Sequence, residues 1–302
     1  MKMNQYYQKR IIAFIDILGF KTKVDDSLVS KTAAHKLHTA LKRILQIKLD
    51  NEDLSSVLEM KSHGVEITTF SDSAVISYPA DDIDGLFFLL LDLVHLQLEL
   101  ASYDVLLRGG ITIGDLYHDG SIVYGPAMNE AYLLESKKAV YPRVIADVHN
   151  INSFIKEQIK LGKADHYDVK DILNLLRQDR DGRYFVDMLR QDRELSNAGD
   201  EYFQWLKNLR MVIVEGLNRY ASLQMKWNEK LYQIFNRKSN ESIKQNRDIF
   251  IKYEWLKEYY NSVVGDEEAY YPVPQCMESD AQKSFRKGYN QLRIRYEAGR
   301  YI

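Results

Sequence analysis

An unbroken apolar run that ends in an acid sets the first constraint on this chain: Arg10–Asp16 reads RIIAFID. Such a run predicts a buried strand whose C-terminal end opens into a loop. Ile17–Phe20 then supplies a glycine turn, and Ser30–Leu49 carries apolar residues at helical spacing. Val65–Phe70 and Ala74–Tyr78 are β-rich runs parted by the polar triplet Ser71–Asp72–Ser73, which predicts a hairpin. Asp82–Ser102 predicts a helix, with Leu86, Leu89, Leu90, Leu93 and Val94 on one face. Val105–Gly114 is strand-like and broken by glycines, Gly125–Lys137 is helical, and Arg143–Asp147 is another short strand.

The order β-α-β-β-α-β predicts an α+β, ferredoxin-like unit, an antiparallel sheet with helices on one face. Right-handed crossovers put the end of the first strand and the hairpin tip on neighbouring central strands. After Asn150 the character changes. Val212–Arg237 and Glu241–Val264 are long, aromatic and highly charged, so residues 151–302 predict a mainly helical extension to a 1–150 domain, with a Tyr-rich piece near Tyr270–Pro274.

Composition excludes several classes. With 302 residues and 45% hydrophobic content, the chain is long enough for a sizeable core. Lys and Arg number 41 against 43 Asp and Glu, a net charge of −2, which gives no overall electrostatic footprint for nucleic acid or an anionic membrane. The single cysteine, Cys276, rules out an internal disulfide framework and a multi-cysteine zinc site. The start MKMNQYYQKR has no apolar stretch behind its basic residues, and Leu86–Leu91 is far short of the roughly 18 residues a span needs. The expectation is a soluble, cytoplasmic protein.

Asp16 and Asp72 are the first candidates for chemistry. A carboxylate directly after an apolar strand costs free energy unless it is paired or bound to a metal. Two such acids on adjacent strands share hard divalent cations through oxygen, and two ions roughly 3.5–4 Å apart suit in-line displacement at phosphorus. The Ile17 carbonyl adds a further oxygen. The loop through Gly19, Phe20 and Lys21 lets main-chain N–H groups approach a phosphate ahead of a helix. The competing reading, that both aspartates end strands or cap turns, stays open on spacing alone.

Four blocks in register narrow the choice: Phe14-Ile-Asp16-Ile-Leu-Gly19-Phe20, then Phe70-Ser-Asp72-Ser-Ala, then Arg108-Gly-Gly-Ile-Thr-Ile-Gly114, then Gly125-Pro-Ala-Met-Asn129-Glu-Ala131. Together they resemble the catalytic domain of class III nucleotidyl cyclases over about the first half of the chain. RGGITIGDLYHDG, YGPAMNEAYLLES and YPRVIAD look most like the bacterial pyrimidine nucleotide cyclases of Pycsar anti-phage systems. The resemblance implies a homodimer with composite sites at its interface. It implies two Mn²⁺ or Mg²⁺ ions on Asp16, Asp72 and the Ile17 carbonyl, with Asn129 supplied by the other subunit near the ribose or the reacting phosphate.

The departures are informative. Purine cyclases carry a base-reading lysine where this chain has Thr68, and their second base-reading position aligns with Ile122. Neither residue supplies a charged purine-reading pair, which agrees with the pyrimidine branch. The family's transition-state arginine, four residues after Asn129, is here Leu133. Loss of one preorganised donor commonly costs about 10²–10³ in rate. Arg143 is the preferred replacement, with Arg108, Lys137 and Lys138 as alternatives and a surface charge as the plainer reading of Arg143.

The resemblance thus implies a cyclase that turns UTP, with CTP next, into a 3′,5′-cyclic nucleotide that signals to a separate effector in anti-phage defence, without direct contact with nucleic acid or membrane. The rival is a silent cyclase-homology module, which Leu133 favours and the two retained metal acids oppose. Among the remaining residues, Gly109 and Gly110 read as sites of tight packing or a bulge. Glu130 and Glu135 read as a solvated helix face, as do Lys42 and Arg43. His35 and His38 have the spacing of a metal pair without a third ligand, and the later tyrosines read as packing residues.

Overall fold

The computed structural model describes residues 6–57, 64–191, 199–231, 239–264, 293–297 and 300–302. The Tyr270–Pro274 piece, Cys276 and residues 232–237 lie outside them. The chain divides into two compact units, Met1–Glu194 and Leu195–Ile302. Among the described residues no helix is long and apolar enough to cross a membrane.

The first unit opens with β1 (Gln8–Ile17), α1 (Phe20–Val29), α2 (Lys31–Val57), β2 (Glu66–Phe70), β3 (Ser73–Pro79), α3 (Asp84–Ala101) and β4 (Leu107–Asp119). Then come β5 (Ile122–Tyr124), α4 (Pro126–Lys138), β6 (Val144–Ala146), α5 (Val148–Lys160), α6 (His166–Asn174), β7 (Leu176–Gln178) and β8 (Tyr184–Val186). The strands lie in the order β2-β3-β1-β4-β6-β8-β7, with β5 folded back on β4. The β2-β3-β1-β4 part is the ferredoxin-like order, and its pairs are antiparallel, as the sequence predicts. The sheet as a whole is mixed, because β6 joins β4 in parallel. It also runs past Asn150, through β7 and β8.

Helices cover both faces of this sheet, not one. Successive residues of β1 point to opposite sides. Ile12 and Phe14 pack with Val75 and Leu116 against Ala127 and Ala131 of α4. Ile11 points the other way, toward Gly85 of α3. Double coverage is the physical reason that the β1 run is apolar without alternation. The α4 face is closely approached at Gly110, where an added Cβ would lie 2.4 Å from the Leu134 Cβ and 2.7 Å from the Ala131 carbonyl. The glycine pair of β4 therefore serves packing, as expected.

The second unit is a helical pair, α7 (Gly199–Leu231) and α8 (Ser239–Val264), with the short strands β9 (Tyr296–Glu297) and β10 (Arg300–Tyr301). Among the described residues, several of its tyrosines act as packing and tethering groups. Tyr220 stacks on Tyr253 at 5.8 Å, and the buried Tyr260 hydroxyl donates to the Leu206 carbonyl. Asn218 clasps Tyr301 through two hydrogen bonds, donating to its carbonyl at 3.1 Å and accepting from its N–H at 2.9 Å.

Candidate functional site

Strand register builds the site. Asp16 stands opposite Ser73 of β3 on one side and Arg108 of β4 on the other. Asp72 occupies the two-residue turn between β2 and β3, where Ser71 takes a φ of +59° that suits a tight hairpin. The Ile17 N–H donates to the Asp72 carbonyl at 2.9 Å, so the end of β1 and the hairpin tip are tied backbone to backbone. Ser73 Oγ donates to Asp16 Oδ1 at 3.4 Å. Burial pushes the Asp16 carboxyl up; the Arg108 guanidinium opposes the rise and the nearby Asp72 charge adds to it.

Arg108 is shared. Its Nε lies 3.1 Å from Asp16 Oδ2 and 2.7 Å from Glu135 Oε1. The N–H bond is aimed at Asp16, and Glu135 Oε1 is held by charge without a hydrogen bond. Glu135 is only 3% exposed, which corrects its reading as part of a solvated face. Ala127, Ala131, Leu134 and Glu135 form the buried side of α4. Burial pushes the Glu135 carboxyl up; Arg108 opposes this, while the charges on Asp16 and Asp72 add to the rise.

The opposite side of α4 carries the exposed Asn129 and Leu133, while Tyr132, half exposed on the flank, meets Phe14 edge-on at 5.5 Å. Asn129 therefore faces away from the Asp16 of its own chain. Gly19, Phe20 and Lys21 begin α1 directly beyond Asp16 and Ile17. Gly19 is left-handed at φ +72° with open space around it, and Lys21 is exposed.

Thr68 and Ile122 belong to a neighbouring group. Thr68 is buried, and its hydroxyl donates to the Gly120 carbonyl at the tip of the β4–β5 hairpin. His118 Nε2 lies 2.9 Å from Thr68 Oγ1, and His118 Nδ1 lies 2.7 Å from Ser77 Oγ, which accepts from Arg10 Nε at 2.8 Å. Because the Thr68 proton is given to Gly120, Thr68 can only accept from His118, which places a hydrogen on Nε2. The Thr68 hydroxyl is thus spent within the chain. Ile122 sits nearby on the hairpin, 56% exposed.

Arg143 has a different place from the one expected. It is 1% exposed, which excludes the surface-charge reading. It pairs with Asp179 and with Asp181, the latter at 2.5 Å, and packs over the rings of Tyr141 and Phe185 at 5.1 and 5.8 Å. A guanidinium buried this far needs its charge matched, and the β7–β8 turn supplies two carboxylates for it. Burial pulls the Asp181 carboxyl up, but hydrogen bonds from Arg143 and Arg183 outweigh it and hold the group at about 2. A cleft of about 390 Å³ opens nearby, lined by Leu134, Lys138, Asp147, Arg183 and Tyr184; Asp16 and Asp72 are not in its wall.

Sequence reasoning missed Glu135 and His118. For Glu135 a signal existed, since it falls at i+4 from Ala131 and i+8 from Ala127, on the stripe that packs against the sheet. His118 lies on a part of β4 that runs beyond the expected strand end at Gly114. Among the described residues no three of His, Cys, Asp and Glu gather as ligands of one ion, His35 and His38 included.

No family model matches the chain, and no curated protein matches it. Among solved structures the chain is similar to the adenylyl cyclase CyaB from P. aeruginosa, at 16% identity and a TM-score of 0.39, over 60% of this chain and 94% of that one. It is also similar to a bacterial light-regulated adenylyl cyclase, at 15% identity and a TM-score of 0.37, over 65% of this chain and 98% of that one.

Proposed function

We propose that this chain is a class III nucleotidyl cyclase of the pyrimidine branch, converting UTP, or else CTP, to the 3′,5′-cyclic nucleotide and pyrophosphate. The observation that carries the reading is the meeting of Asp16, Ile17 and Asp72 at adjacent strand ends, tied by the Ile17–Asp72 backbone hydrogen bond. In the reaction the 3′-oxygen bonds to the α-phosphorus, the bond from that phosphorus to the β-bridging oxygen breaks, and the hydroxyl proton is lost.

The donor set fits a hard divalent cation. It consists of oxygen alone, two carboxylates and a peptide carbonyl, and Asp16 already faces one cation, the Arg108 guanidinium. Mn²⁺ or Mg²⁺ held by Asp16, Asp72 and the Ile17 carbonyl, two ions per site, would acidify the 3′-hydroxyl and offset charge on the departing pyrophosphate.

The chain's own groups have separable tasks. Gly19, Phe20 and Lys21 offer main-chain N–H groups and one ammonium beside the acids. Asn129, on the outward side of α4, suits a site completed across a homodimer interface. With Arg143 committed to Asp179 and Asp181, the cation that stands in for the arginine absent at Leu133 is Arg108. Its side chain is 28% exposed, and only Nε is engaged among the described residues. Thr68 and Ile122 provide no charged pair for a purine. The cyclic product would signal to a separate effector in anti-phage defence.

A silent cyclase-homology module is the second reading, favoured by the exposed Leu133 and the buried, paired Arg143. Incubation of the purified protein with Mn²⁺ and each ribonucleoside triphosphate, with products identified by mass spectrometry, separates the two. Cyclic UMP or cyclic CMP is the expected product. A cyclic purine nucleotide would overturn the base assignment, and no cyclic product from folded, dimeric protein would favour the silent module.

A further inference from the structure

We infer that Arg108 and Glu135 form a latch on the metal acids, with Arg108 as the resting partner of Asp16 and Glu135 as the second berth that keeps the arginine in place when Asp16 takes a metal ion. The inference rests on the assignment of Asp16 and Asp72 as metal acids, and it concerns groups that assignment does not need.

The geometry is asymmetric in the required way. One nitrogen, Arg108 Nε, lies between Asp16 at 3.1 Å and Glu135 at 2.7 Å. Asp16 sits at the open strand end, and Glu135 is buried on the inward side of α4. A buried carboxylate without a cation carries a large desolvation cost. Glu135 therefore holds Arg108 whether or not Asp16 does. Asp16, with 15% of its side chain exposed, is the partner able to exchange a guanidinium for an ion arriving from solvent.

The electrostatic balance points the same way. Asp16, Asp72 and Glu135 stand against one arginine, and the charges on Asp16 and Asp72 are felt at Glu135. Removing Arg108 removes a competitor for Asp16 and leaves the acids uncompensated, which favours a divalent cation. Removing the Glu135 charge does the reverse twice: one negative charge disappears from beside the site, and Arg108 is left to Asp16 alone. The two substitutions must therefore act in opposite directions, whereas loss of a merely structural ion pair would lower stability in both without that split. A unit charge a few ångströms away moves an ionic equilibrium by roughly 1–3 decades.

The test uses Mn²⁺ alone, without nucleotide, and follows the free-ion signal by electron paramagnetic resonance. Wild-type protein, Asp16→Asn, Arg108→Gln and Glu135→Gln are compared, with folding checked by circular dichroism. Expected are binding lost in Asp16→Asn, the Mn²⁺ dissociation constant lowered about tenfold in Arg108→Gln, and raised about tenfold in Glu135→Gln. Should Glu135→Gln not fold, Arg108→Gln decides by itself, and unchanged or weaker Mn²⁺ binding in it overturns the latch. Changes of the same sign in both variants, or none in either, overturn the latch while leaving the metal acids standing. Equal Mn²⁺ binding by wild type and Asp16→Asn would overturn the metal assignment and the latch with it.

Discussion

Arg143→Met separates a structural arginine from a catalytic one. The methionine keeps much of the stem's apolar volume in a site that is 1% exposed, so the loss isolates the guanidinium and its two aspartates. Asp181 is held at about 2 against an ordinary 3.8. That gap corresponds to about 2.4 kcal/mol at 1.36 kcal/mol per decade. Its side chain is 31% exposed, so solvent screening reduces the contribution to roughly 1–2 kcal/mol. Asp179, more enclosed at 14%, loses the same partner. Breaking a buried pair costs about 3–5 kcal/mol, and the partial exposure of both aspartates places the total at about 2–4 kcal/mol. The sign with pH follows from the depressed carboxyl. Its stabilisation is fully present above the unfolded value near 3.8 and fades as pH falls through about 2. Urea unfolding of wild type and variant should give a gap of about 2–4 kcal/mol that is level from pH 7 to about 5 and narrows toward pH 3. Superimposable unfolding curves, with cyclase turnover reduced about 10²–10³-fold, would refute the structural role and return Arg143 to the reaction.

Three further outcomes are expected. Asp16→Asn and Asp72→Asn should each abolish cyclic product with melting temperatures near wild type, and substantial turnover in both would remove the two-metal assignment. Gly110→Val places a Cβ 2.4 Å from that of Leu134; α4 must shift, and thermal unfolding should show a loss of about 1–3 kcal/mol, so an unchanged melting temperature would contradict the described α4–β4 contact. Thr68→Val leaves the Gly120 carbonyl and His118 Nε2 without their hydroxyl partner and should cost about 1–3 kcal/mol in urea unfolding. The same variant should keep the ratio of cyclic UMP to cyclic CMP when both triphosphates are supplied, and a changed ratio would make Thr68 a base-reading residue.

The parts of the fold legible in the sequence were those decided by local pattern. The apolar run ending at Asp16 and the hairpin around Asp72 fixed which strands exist, and right-handed connection placed them side by side. Coverage of the sheet was less legible. The continuous apolar run of β1 already pointed to cover on both faces, but the ferredoxin-like expectation put the helices on one, and α4 on Ile12 and Phe14 with α3 beside Ile11 shows both faces covered. The α4 face carried a readable clue at Glu135, but a glutamate in a helix is far more often solvated than buried, so the prior outweighed the period. The burial of Arg143 was illegible for a longer-range reason. Its partners Asp179 and Asp181 lie 36 and 38 residues away, in a turn that no local pattern connects to it. His118 was hidden because the glycines of β4 suggested an end to the strand well before it.

Arg108 and Arg143 illustrate how burial sorts two chemically identical arrangements. Each arginine meets two carboxylates. Around Arg143 the guanidinium itself is enclosed and flanked by two rings, so any change of partner would expose a charge to a place that cannot solvate it. That arrangement has one state. Around Arg108 a single carboxylate, Glu135, is enclosed, while Arg108 and Asp16 themselves are partly exposed. There one partner is fixed and the other exchangeable, and exchange for an incoming cation leaves no buried charge unmatched. That second arrangement suits the ion exchange proposed for Asp16. The acid at the end of β1 is therefore costly as a strand terminus and compensated by Arg108 beside it, and under the proposed metal reading a cation of higher charge would take that arginine's place.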